Sequence, residues 1–102
     1  MATTTKALFV KLEAKPDKAD DLEAFLNQGA GMANDEPDTL VWYAVKFGPT
    51  TFAIFDAFAD DSGRDAHLNG PIAAALMENA PDLLAEDPSI EKIDVLADKL
   101  PG

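Results

Sequence analysis

Two apolar runs, TLVWYAVKF (39–47) and TFAIFDAF (51–58), are separated only by Gly48-Pro49-Thr50. Both are rich in β-branched and aromatic residues, and so short a connection makes the pair a β-hairpin. Side chains alternate across a strand, so a sheet with one wet face shows apolar residues at every second position. Here neither face is polar. Leu40, Trp42 and Ala44 oppose Val41, Tyr43, Val45 and Phe47, while Phe52, Ile54 and Phe58 oppose Ala53, Phe55 and Ala57. A fold built on this hairpin has to cover both faces of its sheet.

The rest of the chain supplies one cover. KALFVKLEA (6–14) alternates as a strand, and Pro16-Asp17 opens a helix whose stripe is Ala19, Leu22, Leu26 and Ala33 with Phe25 beside it. NDEPD (34–38) reads as a solvated loop. After the hairpin, Asp61 or Ser62 caps a short helix that stops at Asn69-Gly70, and Pro71 opens another, PIAAALMENA, which Pro81 interrupts. IEKIDVLAD (90–98) alternates as a last strand. The order β-α-β-β-α-β predicts an α+β, ferredoxin-like domain with a four-stranded antiparallel sheet and helices on one face. One domain spans 1–102, with tails at 1–5 and 99–102. The second face of the sheet is left for another copy of the chain, so a homodimer packed sheet to sheet is expected.

Composition removes several function classes. With 102 residues and 47% apolar content the chain builds one modest core. A net charge of −11 repels phosphates and anionic lipid, so neither nucleic acid nor membrane is an expected partner. There is no cysteine for a disulfide, a thiolate metal site or a thiol nucleophile. No apolar run is long enough to span a bilayer, and MATTTK has no hydrophobic leader character, so a cytoplasmic location is expected.

The chain has one arginine and one histidine, and SGRDAHLNG (62–70) holds both, three positions apart on one helix face. His67 is a candidate general base or donor; the alternative is a helix histidine bonded to a backbone carbonyl. Arg64 either stabilises an anion or pairs at the surface with Asp60, Asp61 or Asp65. Asp56 shares a strand face with Phe52, Ile54 and Phe58, where a carboxylate has to be paired, protonated or at the rim. It either orients His67 or bonds the amides that begin the next helix. Trp42 and Tyr43 point to opposite faces, so at most one of them lines a given cavity. Ser62 lacks a Gly-x-Ser-x-Gly elbow and reads as a cap, and neither NDEPD nor DDSGRD has the ligand spacing of a calcium loop.

The run FAIFDAFADDSGRDAHLNGPIAAAL (52–76) and the order of elements resemble the antibiotic biosynthesis monooxygenase family, over about residues 6 to 97. Asp56, Phe58, Asp60, His67 and Leu68 match its strand-end and D-x-x-x-R/A-x-x-H-L pattern. The resemblance implies a dimeric α/β barrel. For function it implies a cofactor-independent monooxygenase acting on a small aromatic, quinol or enol, with no cofactor and no metal. His67 and Asp56 are then the catalytic pair, and Trp42, Phe58, Tyr43, Arg64 and Asn69 are the substrate-binding candidates. The family's heme-degrading branch uses Asn, Trp and His where this chain has Phe9, Phe58 and Met77, so an axial ligand is missing. Two other readings stay open: an isomerase on the same fold, and a ligand-binding or stress-related dimer without turnover.

Overall fold

The computed structural model describes residues 3–101. Its elements are β1 (Lys6–Glu13), α1 (Ala19–Asn34), β2 (Thr39–Lys46), β3 (Thr51–Phe58), α2 (Asp61–Leu68), α3 (Pro71–Leu83) and β4 (Ser89–Asp94). The strands form one antiparallel sheet in the order β2-β3-β1-β4. This is the expected ferredoxin-like arrangement. Among the described residues no helix is long and apolar enough to cross a membrane.

Leu8, Val10 and Leu12 of β1 pair in register with Asp56, Ile54 and Phe52 of β3, placing all six on the face that the helices cover. Leu22 and Leu26 from α1 and Ile72, Leu76 and Ala80 from α3 close over them, and every one of these is buried. Trp42 and Ala44 of β2 lie on the same face, opposite Asp56 and Ile54. The Trp42 ring lies so close over α1 that a Cβ on Gly29 would sit 3.2 Å from its Cζ2 and Cη2. Glycine is what lets helix and indole approach there.

The other face carries Phe9, Phe55, Tyr43 and Val45, continued by Phe47 just past β2. Tyr43 is 59% and Phe47 62% exposed, so the doubly apolar hairpin has one bare side in the single chain.

Four boundaries differ from the sequence reading. The first helix begins at Ala19, because Lys15 still bonds outward from the sheet (its N–H to Leu83 O, 2.9 Å) and residues 16–18 form a turn. Pro81 does not stop α3, which runs to Leu83; the Lys15 backbone and side chain take the Leu83 and Pro81 carbonyls left over at its end. The last strand stops at Asp94, since its partner β1 begins at Lys6 and only one further bond forms, Val95 N–H to Thr5 O. The Asp98 carboxylate then accepts from both the backbone N–H and the hydroxyl of Thr4, so Thr4 is buried instead of fraying.

The fourth is the cap of α2, which is Asp60 and not Asp61 or Ser62. Its carboxylate accepts from Gly63 N–H at 3.0 Å, and Gly63 itself is wedged against Phe58 and the Asp38 carbonyl. That wedge fixes where the helix starts, and with it the direction in which His67 points. Asp60→Ala is expected to cost about 1 kcal/mol, measured by urea unfolding, whereas Ser62→Ala should change stability by less than half as much.

Candidate functional site

Asp56 stands on the helix-covered face of β3, flanked in register by Leu8 and Trp42, and is 1% exposed. His67 comes down on it from the last turn of α2 and is itself 7% exposed. The imidazole rests on the Phe58 ring, with centroids 5.4 Å apart. Its Nε2 lies 2.9 Å from Asp56 Oδ2. Its Nδ1 lies 2.6 Å from Glu36 Oε1.

Glu36 belongs to the turn between α1 and β2. Its N–H donates to Ala33 O, and Thr39 returns both a backbone N–H to Glu36 O and a hydroxyl to Oε1 (2.8 Å). Pro37 disfavours helical geometry at Glu36, so the chain turns here and carries the side chain inward. Sequence reasoning missed Glu36 by placing it in a solvated loop; no spacing rule links it to a histidine 31 residues away.

The arrangement constrains its own protonation. Ionised carboxylates only accept, and a neutral imidazole has one donor and one acceptor nitrogen. Two protons therefore serve the two contacts. Either an imidazolium lies between two carboxylates, or a neutral imidazole lies beside one carboxylic acid, and the net charge of the trio is −1 in both cases. Burial raises the pKa of Asp56, only partly offset by the hydrogen bond and charge of His67. Burial alone would lower His67, but the hydrogen bonds and charges of Asp56 and Glu36 outweigh it and the shift is upward.

Asp56 remains short of donors. The Nε2 contact is off-line for a good hydrogen bond, and Oδ1 has no protein partner at all. Both oxygens are buried, and Asp56 borders a cavity of about 100 Å³ lined by Leu8, Val10, Ile54, Ile72 and Leu76, with Met77 and Ile90 at its edge. His67 also borders this cavity. Its opposite side, with Glu36, borders a second and wider cleft of about 350 Å³ between Met32, Asp38 and Pro71.

The other predicted residues are elsewhere. Phe58 is fully buried beneath His67 and lines neither cavity, so it supports the imidazole instead of stacking on a ligand. Trp42 adjoins Asp56 in register but packs on Gly29, and its buried Nε1 has no partner. Tyr43 is on the opposite, exposed face. Arg64 is not a simple surface ion pair: it reaches Asp61 at 3.1 Å, and its Nη1 also donates to the carbonyls of Ala7 and Ile93, clasping β1 to β4. Asn69 caps the end of α2, donating to Asp65 O. Among the described residues no cluster of His, Cys, Asp or Glu forms a metal-binding group.

No family model matches the sequence, and no curated protein matches it. Among solved structures, a protein of unknown function from Nitrosomonas europaea is 56% identical, with full coverage of this chain, 99% of the other and a TM-score of 0.97. The chain belongs to one family with that protein. A "putative antibiotic biosynthesis monooxygenase" from the same organism is 17% identical over 89% of this chain and 98% of its own, with a TM-score of 0.80. One so described from Caulobacter crescentus is 20% identical over 92% of each chain, with a TM-score of 0.77. The chain shares the fold of these two proteins. That is what likenesses at this identity establish, and it agrees with the resemblance carried by residues 52–76.

Because Asp56 and His67 are both shifted upward, the folded protein holds more protons than the unfolded chain from the ordinary aspartate range to beyond the ordinary histidine value. Stability then falls as pH rises through that window. Glu13, Asp94 and Asp98 act oppositely, since their lowered values make stability fall only on strong acidification. The melting temperature is expected to decline from about pH 6 to about pH 9, and the decline should shrink in Asp56→Asn. A wild-type melting temperature that rises over this range would contradict the assignment.

Proposed function

We propose that the chain is a cofactor-independent monooxygenase whose small aromatic, quinol or enol substrate enters the apolar cavity ending on Asp56. The observation that carries this reading is the buried carboxylate with an unpartnered oxygen on a residue that lines an apolar cavity. Unpaired buried carboxylates are costly, and a substrate hydroxyl at Oδ1 would supply the missing donor.

Asp56 is the base in this mechanism, and this changes the role first expected of His67. Both imidazole nitrogens face carboxylates, so His67 has no free lone pair to offer a substrate. It serves instead as donor and counter-charge, supported by the tilted Phe58 ring. The substrate hydroxyl gives its proton to Asp56. The resulting anion passes an electron to dioxygen, one oxygen atom enters the product, and the other leaves as water. The electrons come from the substrate, so this chemistry needs neither flavin nor metal. Water exclusion keeps the anion reactive. A space of about 100 Å³ suits a single ring, with larger substituents passing out between Met77 and Ile90.

The active form in this reading is a homodimer that packs Tyr43, Val45, Phe47 and Phe55 of one chain against their counterparts. Sedimentation at micromolar concentration is expected to give a dimer, and Tyr43→Asp to shift it toward monomer.

An isomerase would use the same carboxylate for proton transfer without oxygen, and the proton-sharing trio favours it as the second reading. A ligand-binding dimer would show neither reaction. Oxygen uptake separates them. With monocyclic hydroquinones and phenols, wild type is expected to consume oxygen above the spontaneous rate with chelator present, and Asp56→Asn to lose about 10²-fold or more. Uptake equal to the spontaneous rate across the panel would overturn the oxygenase.

A further inference from the structure

The inner cavity and the outer cleft have one lining residue in common. His67 borders both, Asp56 borders only the inner one, and Glu36 only the outer. The contacts lead from one space to the other: Asp56 Oδ2 approaches Nε2 at 2.9 Å, off the line of an ideal hydrogen bond, and Nδ1 meets Glu36 Oε1 at 2.6 Å. An imidazole with an acid–base partner on each nitrogen can take a proton at one and release a proton at the other. The Glu36 side chain is 16% exposed, against 6% for His67 and 1% for Asp56, so exposure rises stepwise toward the cleft.

We propose that Asp56, His67 and Glu36 form a proton relay joining the inner apolar cavity to the outer cleft, with Glu36 as its outer terminus. The assignment rests on Asp56 being the base of the proposed reaction. When substrate protonates Asp56 at Oδ1, the proton shared at Oδ2 moves onto Nε2, the Nδ1 proton moves to Glu36 Oε1, and Glu36 releases it to cleft water. One O–H bond breaks in the substrate and one forms in bulk water. The reverse transfer returns a proton to the cavity when the reduced oxygen atom leaves as water, and restores the starting state. Glu36 thus acts through His67 and touches no substrate.

The surroundings leave this path undisturbed. α3 presents Ile72, Ala73 and Leu76 to the inner side, and β1 presents Leu8 and Val10. Arg64, on α2 itself, is turned away to the Ala7 and Ile93 carbonyls. Asp35 and Asp38 line the cleft beyond Glu36. Thr39 Oγ1 holds Oε1 in line from the side.

His67 is the only histidine in the chain, so its ring N–H signals need no sorting from others. The test is the solvent-exchange rate of the Nε2 proton, followed by NMR without substrate in wild type and in Glu36→Gln. A relay predicts exchange at least about tenfold slower in Glu36→Gln. A purely structural Glu36 predicts the opposite, because loosening the pocket admits water and speeds exchange. An unchanged or faster rate overturns the relay. Glu36→Ala, with its fold verified by circular dichroism, gives a second arm: formate added to the cleft should restore fast exchange in proportion to its concentration, and failure of rescue also overturns it. Neither arm uses oxygen uptake, so loss of the relay and loss of the oxygenase reading are separate results.

Discussion

A buried imidazole held between two carboxylates is the contact around which the site is organised. It brings together three parts of the chain that are far apart in sequence: the α1–β2 turn, β3 and the end of α2. Asp56 would be costly alone in so apolar a place, and the imidazole is what makes it tolerable. The trio keeps one net negative charge, and Asp56 keeps an oxygen with no partner. That residual shortage is the source of the chemistry ascribed to the site. Phe58 beneath the ring and the Asp60 cap at the other end of α2 keep the imidazole where both contacts can form.

The sheet divides the labour of the fold. Its covered face builds the core and, where β3 replaces an apolar residue with Asp56, the inner cavity. Its bare face, with Tyr43, Val45 and Phe47 exposed, has the composition of a contact surface. Arg64 serves neither role directly. By clasping the β1 and β4 carbonyls it steadies the sheet edge beneath the helix that carries His67.

Much of the fold was legible because the signals were local. The hairpin, the element order and the doubly apolar strands follow from alternation over a few residues, and the pairing register agrees with the faces they imply. Asp56 was visible as a carboxylate on an otherwise apolar strand face, and His67 as the single histidine on a capped helix. Glu36 was not visible, since its role depends on a contact across 31 positions. The same limit explains Phe58 and Arg64, whose orientations are set by packing between elements. Pro81 misled because the usual cost of a proline in a helix is met here by Lys15, a tertiary partner no local pattern announces.

The most direct check on this account is the ¹⁵N titration of the His67 ring. With both nitrogens facing carboxylates and the pKa shifted upward, neither nitrogen should give the signal of an unbonded pyridine-type nitrogen at neutral pH. The titration midpoint should lie above the ordinary histidine value of about 6.5. A free nitrogen at neutral pH, or a midpoint at or below that value, would mean that the imidazole is not shared between Asp56 and Glu36, and the site as described would not exist.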